Sequence, residues 1–379
     1  MGTPTNYYID PAGGDDMFGD GSISNPYATI QWAVDNISRD TSNGDQFNIK
    51  AGTDDTLLNP IDLSSYGNPA WSAPCRFRGY TSAANDGGVG GIDGNGGAVF
   101  DFDASEGDIV LIDLHMHNGG SDPIIELRDN SIIANCEIND TTGNGVTVLN
   151  NPTSITGCHF HDIGGYGVES RYETIIHGNY FANGTNEFTA AIKLSQQENE
   201  AARNIISLSG GSTGILCSTA HQRVFSNSIL SDGGTGVGID ASNSSADHLA
   251  IINNCLEGFS GTGGVGIESA TSNQLLLYGH NAMYDNEANT SGIPDADQIR
   301  ADLGDNEALS ESPFAKSGAD TFANRGTYFA AADTGNVRGG AYPTANGLDK
   351  GAVQSAGGGG TTTNVFIPAA SGRFGVRES

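Results

Sequence analysis

Basic residues are scarce in this chain. Sixteen Lys and Arg, of which only four are Lys, stand against 45 Asp and Glu, and the formal net charge is −29. A nucleic-acid-binding surface needs a basic footprint, and an anionic lipid surface attracts only basic segments, so neither partner is expected. The acidic balance suits solubility in a salty medium; repulsion of like-charged polymers and capture of divalent cations are the functional alternatives. No apolar run reaches the roughly 18 residues of a membrane-spanning helix, so no membrane insertion is expected. Tryptophan is limited to Trp32 and Trp71, a thin supply for stacking on sugars. The five cysteines, Cys75, Cys136, Cys158, Cys217 and Cys255, contain no CxxC pair, so zinc bound through cysteine is not indicated. Residues 1–8 have neither a basic region nor an apolar core, which leads to the expectation of synthesis in a host cytoplasm without Sec export.

Glycine, by contrast, is abundant: 55 residues, about twice the roughly 7% of an ordinary domain. Many tight corners follow, and a helix-rich fold does not. Between the glycines a five-residue signature recurs. It reads Leu114-His115-Met116-His117-Asn118, Cys136-Glu137-Ile138-Asn139-Asp140 and Cys158-His159-Phe160-His161-Asp162. It returns as Asn179-Tyr180-Phe181-Ala182-Asn183, Ser228-Ile229-Leu230-Ser231-Asp232, Asn254-Cys255-Leu256-Glu257-Gly258 and Asn281-Ala282-Met283-Tyr284-Asp285. The central apolar positions are separated by 22, 22, 21, 49, 26 and 27 residues, the longest gap holding two turns with one degenerate copy. A period of this size marks a solenoid.

The alternation within each copy identifies the unit as a strand, with positions one and three inward and positions two and four outward. A second strand follows in each turn: Val146-Thr147-Val148, Val168-Glu169-Ser170, Val237-Gly238-Ile239 and Val265-Gly266-Ile267. Gly143, Gly145, Gly165, Gly167, Gly234 and Gly236 are placed at corners that need positive φ. Cys136, Cys158 and Asn179 share one inward slot, so an internal ladder is expected there, with rung-to-rung bonds from asparagine and packed thiols from cysteine. Neighbouring rungs lie about 4.8 Å apart, so a Cys136–Cys158 disulfide is geometrically conceivable, although packed reduced thiols are the expectation.

Four segments are delimited. Residues 1–40 form an N-terminal cap of strand, loop and helix, with Asn25 as helix N-cap, Pro26 at the first helical position, and Ile30, Ala33, Val34 and Ile37 on one face. Residues 41–285 form the solenoid, with irregular first rungs over 44–110 and an insertion over 183–204. Residues 286–356 form a C-terminal cap, and 357–379 a four-glycine linker and an extended tail. A disordered tail avoids apolar anchors, whereas this one carries Val365, Phe366, Ile367, Arg373, Phe374 and Arg377; it reads as a docking peptide.

Residues 7–37, YYIDPAGGDDMFGDGSISNPYATIQWAVDNI, resemble the opening motif of right-handed parallel β-helix repeat proteins of the pectate-lyase-like superfamily. Ser312–Asp320 and Leu348–Gln354 are similar to their closing segments. The resemblance covers about residues 1–354. It implies an all-β fold: a right-handed single-stranded parallel β-helix with a short N-terminal capping helix and an extended C-terminal tail. It leaves activity open, since the superfamily contains lyases, hydrolases, adhesins and phage spikes.

Outward positions place His115, Glu137 and His159 in one register and His117, Asn139 and His161 in the next, a patch about 10 Å tall. Histidine and carboxylate together can bind a transition metal or act as acid and base; a solvated polar ladder is the plain alternative. The candidate metal ligands are His115, Glu137 and His159. The candidate glycan or partner face is His117, Asn139, His161 and Tyr180. Asp15, Asp16 and Asp20 could hold Ca²⁺, though without EF-hand spacing. Glycoside hydrolysis needs carboxylates about 5–9.5 Å apart across a groove; Glu137 and Glu257 are distant in sequence, Glu169 and Glu268 lie on the other strand, and no compact acid trio emerges.

The functional expectation is a virion structural protein, such as a capsid decoration, head fibre or spike, of possible homotrimeric assembly. It would dock to capsid or other virion proteins through its tail and touch a host-surface glycan. The alternatives are a polysaccharide lyase or hydrolase acting on acidic or neutral glycans, and a bacterial surface adhesin, either of them extracellular.

Overall fold

The computed structural model describes residues 3–293, except 68, 71, 103–107, 129, 151, 197, 244–247 and 273–274, together with 302–304 and 307–308. The expected tail anchor, Val365, Phe366, Ile367, Arg373, Phe374 and Arg377, lies outside the described residues, as does most of the expected C-terminal cap.

The chain winds into an all-β parallel solenoid whose strands, among the described residues, line up as three sheets of 12, 11 and 9 strands. The first sheet runs from Thr5–Ile9 to Asp302–Gly304, the second from Asp55–Thr56 to Glu307–Ala308, and the third from Phe100–Asp101 to Ala288–Ser291. The sequence signature corresponds to the second sheet and the valine-led strands to the third. The first sheet had no signature, because apolar residues at outward positions, such as Ile132 of Ser131–Ala134 and Ile175 of Ile175–His177, blur its alternation. Pairing also continues past residue 285: Asp302–Gly304 pairs with Tyr278 and Gly279, and Glu307–Ala308 with Ala282 and Met283.

Two repeat assignments change. Phe181 pairs with Ile206, Ile206 with Ile229 and Ile229 with Leu256. The degenerate copy is therefore Asn204–Leu208, and the central residue of the next copy is Ile229 rather than Leu230. Residues 183–204 are not an insertion. They contain Ala190–Leu194 of the third sheet and Glu200–Ala202 of the first, both in register with their neighbours.

Each sheet lines the interior with stacks of like side chains. In the second sheet Met116, Ile138, Phe160, Phe181, Ile206, Ile229, Leu256 and Met283 succeed one another, all buried. Phe160 and Phe181 stack with ring centroids 4.7 Å apart. The first sheet continues Phe47, Phe77, Leu111, Ile133 and Ile155 in the same way. Each such side chain contributes about 1.5–3 kcal/mol by leaving water, so the core is a column shared by all rungs.

The corner between first and second sheets is specified most tightly. The residue ahead of the ladder slot has left-handed φ at Asp113, Asn135, Gly157, Gly178, Arg203, Ser226, Asn253 and His280. The slot itself holds Leu114, Cys136, Cys158, Asn179, Asn204, Asn227, Asn254 and Asn281, all buried. Asn204 donates its backbone N–H and side-chain Nδ2 to Asn227 Oδ1, both at 3.1 Å. Asn227 does the same to Asn254 Oδ1, at 3.1 and 3.0 Å. The cysteines above are free thiols.

The glycines expected at positive φ lie elsewhere on the φ scale. Gly143, Gly145, Gly165, Gly167, Gly234 and Gly236 are not in the left-handed region; they are required by close approach. A Cβ on Gly167 would sit 2.5 Å from Ala191 O and 2.8 Å from Phe181 Cδ1.

The capping helix is Ile30–Asn36, with Ile30, Ala33 and Val34 buried against the open end of the column. Its N-cap is Thr29, whose Oγ1 accepts from Trp32 N–H at 3.3 Å, rather than Asn25. Asn25 instead donates Nδ2 to Phe18 O at 2.9 Å, closing the acidic loop. Among the described residues no helix is long and apolar enough to cross a membrane.

Candidate functional site

The histidines converge on the outer face of the second sheet. Strands Leu114–Gly120, Glu137–Thr141, His159–Ile163 and Tyr180–Ala182 lie side by side. Glu137 is opposite His115 and His159, and Asn139 is opposite His117 and His161. Alternation along each strand sends these side chains outward while Met116, Ile138 and Phe160 turn in. All six polar residues are half-buried.

The atoms group differently from the sequence expectation. His115, Glu137 and His159 come from three rungs, which spreads them over two rung spacings, about 9.6 Å. The donors that converge are Glu137 with His159 and His161, and Asp54 with His115 and His117, each set within 4.8 Å. Alternate residues on one strand are closer than equivalent residues two rungs apart: the His159 and His161 rings lie 4.5 Å apart, and those of His115 and His117 4.6 Å. Asp54 carried no sequence signal, since it stands in an irregular early rung.

His161 is clamped between two acids. Its Nε2 donates to Glu137 Oε1 at 2.9 Å and its Nδ1 to Asp162 Oδ2 at 2.7 Å. Ionised carboxylates only accept, so both ring nitrogens carry protons. Burial alone would lower the His161 pKa; the bonds to Glu137 and Asp162 outweigh it and raise it above the ordinary imidazole value. Glu137 is lowered by the His161 hydrogen bond. In Asp162 burial opposes the change, but His161 and the Thr185 N–H hold the pKa below the usual carboxylate range. Asp162 sits at the strand end in the left-handed conformation, φ 53°. His159 behaves oppositely: burial, then the positive charge on His161, lower it to about 4. Neutral and charged imidazoles thus stand next to each other. In the other group His115 Nε2 donates to Asn139 Oδ1 at 2.8 Å, and His117 Nε2 lies 3.1 Å from Asp54 Oδ2.

Tyr180, expected on the outward face, is buried, with 4% of its surface exposed. Its ring stacks on His159 at 5.0 Å, so it supports the histidine rather than presenting a surface. Glu257, expected outward, is also buried, between Leu230 and Tyr284 on adjacent rungs. The acidic loop carboxylates are occupied as turn acceptors. Asp15 takes the N–H groups of Met17 and Phe18, Asp16 those of Ala28 and Thr29, and Asp20 that of Ser22. Among the described residues these three do not form a convergent donor group.

One acid pair escaped the sequence reading. Asp240 and Glu268 are directly opposite on neighbouring rungs of the third sheet, both partly exposed. Burial, then the Asp240 charge, raise the Glu268 pKa. The signal was present: each follows the isoleucine of a valine-led strand, Ile239 or Ile267. The third-sheet neighbour Glu169 differs, since Lys193 Nζ lies 2.9 Å from its Oε1.

Against known proteins, residues 123–287 match the family model described as right handed beta helix region. No curated protein sequence matches the chain. Among solved structures, the native crystal structure of GH136 lacto-N-biosidase from Eubacterium ramulus is similar at 13% identity, covering 80% of this chain and 67% of that one, with a TM-score of 0.44. The complex structure of XylC with xylose is similar at 10% identity, covering 74% of this chain and 75% of that one, with a TM-score of 0.41.

Proposed function

The chain is a right-handed parallel β-helix repeat protein, and we propose that it works as a rigid binding rod: the second-sheet face engages a glycan or protein partner, and the C-terminal tail docks the rod to a larger particle such as a virion. The observation that carries the reading is the preset polar face. His115, His117, Glu137, Asn139, His159 and His161 are half-buried on three consecutive rungs. Their hydrogen bonds already fix their orientation, so little side-chain freedom is left to lose on binding. The acids of this face are poorly suited to proton donation, since His161 holds Glu137 and Asp162 ionised, whereas a general acid needs a raised pKa.

Two measurements test the proposal. Immobilised neutral and acidic glycans, and particles from the source culture, should retain the full chain, and the pair H117A and N139A should reduce glycan retention at least tenfold. Undiminished retention by both variants removes the face from the reading. Deletion of 357–379 should abolish co-sedimentation with particles and leave the far-ultraviolet circular dichroism unchanged. Retained co-sedimentation rejects the tail as anchor.

A second reading, glycoside cleavage, is favoured by Asp240 and Glu268. Side chains directly opposite on neighbouring rungs leave backbones about 4.8 Å apart, and a carboxyl with a raised pKa suits the acid of a glycosidase pair. Under it, D240N and E268Q should each remove hydrolysis of a glycan that the wild type cleaves, while H117A and N139A bear on binding.

A further inference from the structure

We propose that Glu137, His159 and His161 form a binding site for a divalent transition-metal cation of the zinc, cobalt or nickel kind. One donor atom from each side chain lies within 4.8 Å of the others. With metal–ligand bonds of about 2.1 Å, donors of a tetrahedral site stand roughly 3.4 Å apart, a closure that rotation about the terminal side-chain bonds supplies. His159 and His161 are alternate residues of one strand, and Glu137 is opposite His159 on the next rung.

The second layer of contacts is already in place. His161 Nδ1 donates to Asp162 Oδ2 at 2.7 Å, which directs Nε2 toward Glu137; a carboxylate behind a metal-binding imidazole fixes its orientation and raises its basicity. A cation between Nε2 and Oε1 takes the place of the proton they now share, and both groups become ligands as that proton leaves. The Tyr180 ring stacked on His159 holds the plane of that imidazole. Two imidazoles and one carboxylate favour a borderline cation over Ca²⁺ or Mg²⁺, which prefer oxygen alone. Three protein donors leave an open coordination position for water or an incoming ligand.

The Asp54–His115–His117 group has the same donor types and an equally exposed carboxylate, but its His115 Nε2 is committed to Asn139 outside the group. It is the weaker candidate and serves as the internal comparison. The metal site shares the face on which the binding reading rests, yet it is read with metal alone, so either can fail without the other.

The test is calorimetric titration of chelator-treated full-length protein with Zn²⁺ in the presence of excess Mg²⁺, which occupies the non-specific acidic surface. Co²⁺ absorption reports the coordination. One tight equivalent is expected, weakened at least tenfold in H159Q and in H161Q, and about tenfold in D162N, which keeps the ligands and removes the relay. It should be unchanged in H177Q, where another histidine–carboxylate pair is broken. Far-ultraviolet circular dichroism establishes that each variant is folded, and H159Q alone decides the matter if H161Q is not. The assignment is overturned if folded wild type binds no tight equivalent, if H159Q retains it, or if H117Q loses it instead.

Discussion

Asn227 shows how much one side chain can carry in this molecule. Its Oδ1 accepts two bonds from Asn204, and its Nδ2 donates to Ala201 O at 3.0 Å and to Asn254 Oδ1 at 3.0 Å, all in the buried slot. Truncation in N227A takes from the Asn204 backbone N–H its bond in the slot and removes one bond each from Asn204 Nδ2, which keeps Ile176 O, and from Asn254 Oδ1, which keeps the Asn227 backbone N–H, at about 1–3 kcal/mol for a buried group left unsatisfied. We expect a loss of about 3 kcal/mol in denaturant unfolding; a loss under about 1 kcal/mol would show the ladder to be redundant. Glu200 gives a pH-dependent counterpart. Its carboxylate lies 2.5 Å from His177 Nε2 and 3.2 Å from Arg223 Nε. Burial would raise its pKa, but the His177 bond and the Arg223 charge prevail and lower it. A lowered folded pKa contributes stability above the unfolded value, near 4.3, and loses it as pH falls through the folded one. The stability difference between wild type and E200Q should therefore be full at pH 6 and shrink below about pH 4. A difference that persists at pH 2 would attribute it to packing.

Among the elements, two kinds of glycine are separable by experiment. Gly167 sits where neighbouring rungs touch, and a methyl group there meets backbone. G167A should destabilise by about 1–3 kcal/mol or more, as overpacking does. Gly178 has φ 64° and open space, with nothing within 4 Å, where a Cβ would stand; the same corner position is Asn135 and Asn253 on other rungs. G178N should therefore stay within about 0.5 kcal/mol of wild type, since asparagine tolerates the left-handed region. Thermal denaturation of the two variants together distinguishes close approach from conformational need; equal losses would refute the distinction.

For the whole molecule, the net charge of −29 sets the balance. Self-repulsion of this size opposes the folded rod, and salt screens it over about 8 Å at physiological ionic strength. The thermal midpoint should rise between 10 mM and 500 mM NaCl; a fall would mean that favourable pairs such as Lys50–Asp10 and Arg78–Asp113 outweigh the general repulsion. The solenoid couples each rung only to its neighbours, so the face on the second sheet depends on continuity of the column beneath it.

The period, the inward and outward alternation, and the vertical register of His115, Glu137 and His159 were all legible in the chain, because strand periodicity is a local property of residue order. The three-sheet cross-section was not, since apolar residues at outward positions, such as Ile132 and Ile175, mask the alternation of the first sheet. Nor was the place of Leu230, because Ser-Ile-Leu-Ser fits two registers and only pairing with Ile206 and Leu256 chooses between them. At the candidate site residue order placed the right histidines on one face but grouped them by rung. The tertiary structure regrouped them by strand, brought in Asp54, turned Asp162 back onto His161 and buried Tyr180. Those choices depend on side-chain reach and on what covers each ring, distances that exist only once the rungs are stacked.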